Sequence, residues 1–329
     1  MSPPRSRLVG GLDLGGTKIQ AVVLDGRRSV IGEARSATPT TGGAQDVILG
    51  LVSTMGSACA DADVELADLA GVGVGSPGAI DTRRGVVTGA GNLPGEGAPI
   101  PVSAGFKTLA ATRAYVDNDV TVGVYAEYVL GAARRSKSLL GVWWGTGVGG
   151  GIVLNGERWD GRGAAAELGH VVVKIDGAEC TCGRRGCMEA YAGRGSMEIR
   201  ARRLHKRGRK TDLFKIMEKR GRTRLTSGVW ARALEAEDEL ATELIERALG
   251  ALGAGVASAV NLLDPETVVI GGGLGTRLGD PYVERIREAM MPHLFADANP
   301  PAVALASLGD LGGAIGASLL VGSATTAGR

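Results

Sequence analysis

The chain has 329 residues, 44% of them hydrophobic, so it can bury one large core or two moderate ones, and two domains are expected. Its formal net charge of +2 at pH 7 argues against a general affinity for nucleic acid or for anionic membranes. Residues 1–7 lack the long apolar segment of a signal peptide, and no run of about 20 uncharged apolar residues follows. A soluble, cytoplasmic protein that does not span a membrane is therefore expected.

Apolar runs in the first part of the chain alternate between strand-like and helix-like patterns. The two earliest runs are separated by a glycine-containing turn, which indicates a β-hairpin. The next run has Val47, Leu51 and Met55 at a spacing of four residues, as on the buried face of a helix. Such alternation is typical of an α/β domain. The predicted elements are strands over 8–13, 19–24, 69–74 and 114–116, helices over 46–60 and 120–130, and a Gly- and Pro-rich loop over 89–101.

The second half opens with the same pattern: a strand, a glycine-rich turn over 145–151 and another strand. Two halves that begin alike indicate a duplicated fold with a ligand cleft between its domains. The boundary is predicted between an N-terminal domain, 1–118, and a larger C-terminal domain, 119–311, which carries the cysteine cluster. A C-terminal helix near 312–329 is expected to complete the first domain. The other predicted elements are strands over 139–144, 152–154 and 267–270 and helices over 240–260 and 312–320.

Three of the four cysteines lie close together, ten residues beyond a histidine. Three thiolates and one imidazole supply the closed tetrahedral shell that is typical of structural zinc. A Cys-x-Cys pair is too close for an easy mutual disulfide, so the spacing favours a metal over a disulfide. The alternatives are buried free cysteines or a disulfide with Cys59. The predicted zinc ligands are His170, Cys180, Cys182 and Cys187.

Two glycine turns have the composition of phosphate-binding loops. The first, Asp13-Leu-Gly-Gly-Thr-Lys18, lacks the spacing and the following helix of a Walker loop. Without Cβ atoms at Gly15 and Gly16, the backbone N–H groups and the Thr17 hydroxyl can turn toward a phosphate, while Asp13 can hold magnesium through water. Either turn alone could be purely structural. Two such turns, one per domain, predict a nucleotide-dependent phosphotransferase.

Phosphoryl transfer to an alcohol needs a carboxylate that takes the proton of the acceptor hydroxyl. Asp119 follows a predicted strand at the expected domain boundary, so it is the predicted base. The alternative for the segment 117–119 is a helix N-cap. Planar amides and carboxylates suit a polyol, and zinc would stiffen the two glutamates that flank its ligands. The predicted sugar-binding residues are Asn92, Asn118, Asp119, Glu167, His170 and Glu189.

These motifs, taken in chain order over nearly the whole sequence, resemble those of ROK-family sugar kinases, which have the hexokinase or actin-like ATPase fold. That fold is a duplicated ribonuclease H-like α/β architecture with an inter-domain cleft. The block Glu167-Leu-Gly-His170 with the cysteines and Glu189 is the most specific match. The other matching segments are Asp13–Lys18, Gly75-Ser-Pro-Gly78, Asn118-Asp119, Gly145–Gly151 and Gly271-Gly-Gly273.

The resemblance implies an ATP-dependent kinase that acts on the 6-hydroxyl of a hexose, with Asp119 as general base, structural zinc, and magnesium bound with ATP. It also implies a homodimer or homotetramer. The phosphates are expected at Asp13, Gly15, Gly16, Thr17, Lys18, Gly145, Thr146, Gly147 and Gly149, and adenosine near Gly271, Gly272 and Gly273.

Glucose is the expected acceptor, but the sequence leaves its identity open. Glu96 stands where many relatives carry an aromatic residue. Mannose, fructose, N-acetylglucosamine and N-acetylmannosamine are therefore alternative acceptors, and polyphosphate is an alternative donor. Thirteen Lys and Arg residues lie between Arg194 and Arg224. They form either a solvated helical face or an anion-binding surface.

A sugar-responsive transcriptional regulator is the alternative outside the enzymes, since the family also contains such proteins. Those relatives carry a DNA-binding helix-turn-helix before the first phosphate loop. Here Asp13 is the thirteenth residue, which leaves no room for that motif. An enzyme is therefore expected.

Overall fold

The computed structural model describes residues 8–90, 93–95 and 97–322. Within them the chain divides into two compact units: one runs through Gly131 and resumes at Leu308, and the other is Ala132–Ser307. The predicted boundary at 118/119 lies one helix earlier than this division. Asn92, Glu96 and the last part of the predicted C-terminal segment lie outside the described residues.

The first unit contains a five-stranded sheet with the order β3-β2-β1-β4-β7. Strands β1 to β3 are antiparallel, whereas β1, β4 and β7 are parallel, so three carboxyl ends meet at one edge. A separate hairpin joins β5 and β6. The strands are β1 (Val9–Leu14), β2 (Lys18–Leu24), β3 (Val30–Ala37), β4 (Val72–Ser76), β5 (Ala79–Asp81), β6 (Val86–Thr88) and β7 (Ala114–Asn118).

Helices cover both faces of this sheet. Helices α1 (Ala44–Asp61) and α2 (Val102–Ala110) bury their apolar residues against one face. Helix α3 (Asp119–Val129) packs with α11 (Gly312–Ser318), whose Ala314 and Ile315 contact the other face. A Cβ atom on Gly73 would overlap the backbone of α11, so glycine in the strand permits the close approach. This packing explains why α3 belongs to the first unit.

The second unit repeats the plan with the order β10-β9-β8-β11-β12. Strands β8 to β10 are antiparallel, and β8, β11 and β12 are parallel. Its strands are β8 (Leu139–Trp144), β9 (Val148–Leu154), β10 (Glu157–Arg158), β11 (Thr267–Gly271) and β12 (Ala302–Leu305). Its helices are α4 (Glu189–Ala192), α5 (Arg194–Lys206), α6 (Leu213–Lys219), α7 (Ser227–Glu235), α8 (Glu239–Leu263), α9 (Gly272–Leu278) and α10 (Asp280–Met290).

The second glycine turn is shorter than its sequence suggests. Strand β9 begins at Val148 rather than at residue 152, so only Gly145–Gly147 form the turn. Gly149 pairs with Trp143 in the ladder. A Cβ atom on Gly150 would lie 2.7 Å from the carbonyl oxygen of Ala166, so the glycines of this strand admit a close neighbour rather than extend the turn.

Helix α8 forms the centre of the core in the second unit. Its apolar residues recur every four positions from Leu240 to Val256 and are buried, as the sequence predicts. Asp238 caps the helix by accepting a hydrogen bond from the amide of Ala241 at 2.7 Å. No helix among the described residues combines the length and the apolar character needed to cross a membrane.

Candidate active site

Two aspartates meet at the carboxyl edge of the first sheet. Asp13 lies near the end of β1, and Asp119 begins α3 directly after β7. Strand β4 separates them, with Gly75 paired to Asp13 on one side and to Asp117 on the other. A Cβ atom on Gly75 would lie 2.8 Å from the Cγ2 atom of Val122 on α3, so this glycine lets the first turn of α3 approach the sheet. The structure therefore brings together two of the predicted site residues.

Asp119 is a carboxylate with altered acidity. Burial raises its pKa above the ordinary value, and a hydrogen bond from the Val120 amide partly opposes the shift. The N-cap of α3 is Asn118, whose Oδ1 accepts from the amides of Val120 and Thr121 at 3.0 and 3.2 Å. Because Oδ1 caps the helix, the Nδ2 group is the part of Asn118 that can donate to a ligand. The alternative cap role predicted for segment 117–119 thus falls to Asn118.

Asp13 is also a carboxyl group whose pKa is raised by burial. Burial raises its pKa to about 6, the negative charge of Asp119 adds to the shift, and Lys18 opposes it. Lys18 itself donates at 2.9 Å to Asp310, which lies in a 3-10 turn just before α11. Lys18 was predicted as a phosphate ligand, and here it is held by a carboxylate that the sequence did not identify. Only the fold brings Asp310 to the hairpin.

Replacing Asp13 by Asn is expected to stabilise the protein at neutral pH. The Asp13 carboxyl binds its proton more tightly in the folded state than in the unfolded state. Its contribution to the free energy of unfolding is therefore fully present below about pH 4 and is lost as pH rises through about 6. The variant should gain on the order of 2 kcal/mol in free energy of unfolding near pH 7.5, and little near pH 4. Urea unfolding at both pH values measures this, with the exposed Asp63→Asn as control; an equal gain at both would contradict the argument.

The first glycine turn is fixed by its neighbours. The amide of Gly15 donates to the carbonyl of Lys18 at 2.9 Å, which closes the hairpin. The Thr38 hydroxyl donates to the carbonyl of Gly15 at 2.6 Å, and the Thr38 amide donates to the carbonyl of Thr17 at 3.2 Å. Gly16 and Thr17 form the tip, and Thr17 is exposed. The turn therefore presents its tip to a ligand on a rigid base.

The second glycine turn is held by the start of α5. The amide of Gly145 donates to the carbonyl of Gly147, while the amides of Arg194 and Gly195 donate to the carbonyls of Gly145 and Thr146. The guanidinium of Arg194 also donates to the Thr146 hydroxyl at 2.6 Å. In the sequence Arg194 stood out only as part of the basic segment, so its contact with the turn was missed.

The predicted adenosine loop lies beside this turn. Gly271 ends β11, and Gly272 has a left-handed backbone with φ of +79°. A Cβ atom on Gly272 would lie 2.7 Å from the backbone nitrogen of Trp144, so the close approach also requires glycine. A Cβ atom on Gly145 would lie 3.7 Å from the backbone nitrogen of Gly273. The structure thus brings together the second turn and the segment Gly271–Gly273.

The predicted zinc ligands form one cluster. One ligand atom from each of the four lies within 4.8 Å of the others. The His170 Nδ1 atom is 3.8 Å from the Cys180 Sγ atom, and the sulfurs of Cys182 and Cys187 are also 3.8 Å apart. A tetrahedral ion with Zn–S bonds of about 2.3 Å places two sulfurs about 3.8 Å apart, so the geometry fits zinc. None of the four cysteines, all within the described residues, forms a disulfide, which excludes a bridge to Cys59.

The three thiols of this cluster differ in acidity. Burial, together with hydrogen bonds that the Cys187 thiol donates to Cys182 and Cys180, raises the pKa of Cys187 to about 12. Burial also raises the pKa of Cys180, whereas a hydrogen bond from the Arg184 amide lowers that of Cys182 to about 7. Three thiolates at this distance repel one another, and a divalent ion would remove the repulsion.

Two predicted sugar-binding glutamates lie at the cluster, but hydrogen bonds hold one of them more firmly than the other. Glu189 Oε2 accepts from the amide of Val148 at 2.9 Å, and its Oε1 atom lies 3.3 Å from the Thr181 hydroxyl. Glu189 therefore joins the start of β9 to the cysteine loop. Glu167 Oε2 lies 3.9 Å from His170 Nε2, and its side chain is 68% exposed. The prediction that the metal loop stiffens both carboxylates is thus supported by contacts mainly for Glu189.

Part of the basic segment has a structural role. Glu198 on α5 is buried and accepts from Arg202 at 2.8 Å and from Arg224 at 3.0 Å. Arg209 pairs with Glu243 on α8 at 2.8 Å. Burial of a carboxylate requires such partners, which favours the solvated helical face over an anion-binding surface for these arginines.

Comparison with known proteins identifies relatives that match nearly the whole chain. A protein-family model described as the ROK family matches residues 9–324. The glucokinase of Thermotoga maritima is 31% identical over 296 residues, which cover 88% of this chain and 90% of that protein. The N-acetyl-D-glucosamine kinase of Salmonella paratyphi A is 29% identical, with coverage of 94% and 98%. A ROK family glucokinase from Streptomyces griseus, solved in complex with glucose and AMPPNP, has a TM-score of 0.77 and 28% identity, with coverage of 95% and 98%.

Proposed function

Since the chain belongs to the ROK family and is a sugar kinase, we propose that it transfers the γ-phosphoryl group of ATP to the 6-hydroxyl of glucose. The observation that carries this proposal is the pair of half-buried carboxylates, Asp13 and Asp119, at the carboxyl ends of the parallel strands of one sheet. One carboxylate can serve the phosphate donor and the other the acceptor hydroxyl.

Asp119 is the proposed general base. Burial raises its pKa above the ordinary value, which makes its ionised form a stronger proton acceptor than the carboxylate of an exposed aspartate. The sugar hydroxyls would be held by Asn118, Glu167, His170 and Glu189, and by Asn92, which lies outside the described residues. Since His170 Nδ1 faces the cysteines, its Nε2 atom is the one that can contact a hydroxyl.

The donor is proposed to bind at the glycine turns. Backbone amides and threonine hydroxyls at the tips Gly15–Lys18 and Gly145–Gly147 would contact the phosphates, and Gly271–Gly273 would lie near adenosine. Gly149 is less suited to this role than predicted, because it lies within strand β9. The Asp13 carboxylate suits magnesium, a hard cation that would neutralise charge on the transferred phosphate.

Zinc is proposed at His170, Cys180, Cys182 and Cys187 in a structural role. These four residues would supply all four ligands of a tetrahedral ion, so no open position would be left for a reacting water. The ion would order the loop that carries Thr181 and thereby the carboxylate of Glu189.

N-acetylglucosamine is a second candidate acceptor. A relative with this activity is 29% identical and matches 94% of the chain, close to the values for the glucokinases. The residues assigned above to the sugar hydroxyls do not distinguish the two acceptors, since none is assigned to the 2-position. Discrimination there would depend on the segment around Asn92 and Glu96.

A coupled assay for ADP release, run with ATP and magnesium, is the direct test. Glucose, mannose, fructose, N-acetylglucosamine and N-acetylmannosamine would be compared by kcat/KM. We expect glucose to give the highest value, because two of the matched relatives are glucokinases. A higher value for N-acetylglucosamine would reassign the acceptor, whereas no turnover with any sugar would overturn the proposed function.

A further inference from the structure

Arg194 makes an unusual set of contacts at the second glycine turn. Its guanidinium donates through Nη2 to the Thr146 hydroxyl at 2.6 Å and through Nη1 to the carbonyl of Leu225 at 3.0 Å. Its Nε atom is buried and has no hydrogen-bond partner among the described residues. The side chain therefore spans from the loop before α7 to the tip of the turn.

The contact with Thr146 determines where the threonine proton can point. A hydroxyl has one donor and two acceptor sites, and an arginine N–H can only donate to it. With an acceptor site of Oγ1 filled by Arg194, the hydroxyl proton is directed elsewhere. Thr146 is exposed at the tip, so its proton remains for a ligand outside the protein. A charge-assisted bond to the oxygen also strengthens the hydroxyl as a donor.

We propose that Arg194 is a positioning residue for the phosphate donor, acting through Thr146. It holds the hydroxyl so that this group donates to a phosphate oxygen of the nucleotide, and its positive charge adds to the local attraction for that anion. This inference rests on the proposed function, because it takes the turn Gly145–Gly147 to be a nucleotide-phosphate site.

A purely structural role accounts less well for the guanidinium. The backbone amides of Arg194 and Gly195 already bind the carbonyls of Gly145 and Thr146, so the turn is anchored without the side chain. Burial of the guanidinium leaves one N–H group without a partner among the described residues and lowers the pKa of Arg194. A buried N–H group without a partner costs free energy, so anchoring of the turn does not by itself explain this guanidinium.

The test measures nucleotide binding and turnover in a double-mutant cycle. The variants are Arg194→Met, Thr146→Val and the double variant, with Thr146→Ser as the conservative variant that keeps the hydroxyl. Arg222→Met, at an exposed arginine of the same basic segment, is the control for lost charge. Calorimetric binding of AMPPNP with magnesium, thermal unfolding, and KM for ATP and for the sugar are measured for each.

We expect each single variant to weaken AMPPNP binding about tenfold, which is about 1.4 kcal/mol, and the double variant to be little worse than either. KM for the sugar should be unchanged, and Thr146→Ser and Arg222→Met should bind nearly as the parent does. The proposal would be overturned by strictly additive effects of the two substitutions on AMPPNP binding. It would also be overturned if folded Arg194→Met kept the parent affinity for AMPPNP, or if the parent protein did not bind AMPPNP.

The same data separate this inference from the proposed function. A parent protein that binds AMPPNP but phosphorylates no sugar would contradict the kinase proposal and leave the binding cycle interpretable. A parent protein that is an active sugar kinase with additive variants would keep the kinase proposal and remove the role of Arg194. If Arg194→Met unfolds, Thr146→Val still tests the proposal, because unchanged AMPPNP affinity without the hydroxyl would overturn it.

Discussion

Replacing Asp119 by Asn is expected to lower kcat by about 10²- to 10⁴-fold while sugar binding and metal content stay near those of the parent protein. The asparagine side chain keeps the shape of the aspartate and its position at the start of α3, but it cannot accept the proton of the sugar hydroxyl. The Asn118 cap, which holds the helix end, remains intact. The coupled assay gives kcat, and calorimetry gives sugar affinity.

Asp63→Asn is the matched control for this substitution. Asp63 is exposed and has a left-handed backbone that asparagine also tolerates, so this variant changes a carboxylate without altering the site. Its kcat should equal that of the parent protein. A folded Asp119→Asn variant with more than about a tenth of the parent activity would contradict the assignment of the base.

The pH profile of the parent enzyme gives a second check on Asp119. Its pKa is raised by burial, so the base becomes protonated, and kcat/KM declines, at a pH above the ordinary range of aspartate. Activity should therefore be present above this pKa and fall as pH decreases through it. A profile that stays flat down to about pH 4 would be inconsistent with a buried aspartate as base.

Many of the strands and helices could be predicted in chain order, because apolar runs and glycine turns are local signals. The predicted α/β fold with actin-like architecture is confirmed by the sheets and by the matched sugar-kinase structure. Strand β3 was not predicted, because its residues alternate between exposed and buried at a sheet edge and form no apolar run. The start of β9 was missed because its glycines read as a turn, although their role is close packing.

In the candidate site, too, contacts between residues close in sequence could be predicted, whereas contacts between distant residues could not. The grouping of the four metal ligands was predictable because the cysteine spacing is short and the ligand chemistry is restrictive. The partner of Lys18 was not predictable, since Asp310 is 292 residues away in sequence. Likewise, Arg194 appeared as one of thirteen basic residues until the fold placed its guanidinium against Thr146.

Replacing Cys187 by Ser is expected to remove the metal and to destabilise the cysteine loop by several kcal/mol. Cys187 is fully buried, and its sulfur is 3.8 Å from that of Cys182, so no other side chain can fill its ligand position without rearrangement. The parent protein should contain about one zinc per chain by elemental analysis. Cys59→Ala, which removes a buried thiol in α1 outside the cluster, is the control and should retain the zinc.

The loss of metal should also weaken sugar binding, and this link follows from Glu189. Its carboxylate lies between the Val148 amide at the start of β9 and Thr181 within the cysteine loop. Without the ion the loop loses its fixed geometry, and the carboxylate loses one of its two restraints. Sugar affinity should therefore fall with zinc content when the parent protein is titrated with a chelator. A metal-free protein that remains folded and binds sugar with unchanged affinity would show that the ion stabilises the loop without organising the sugar site.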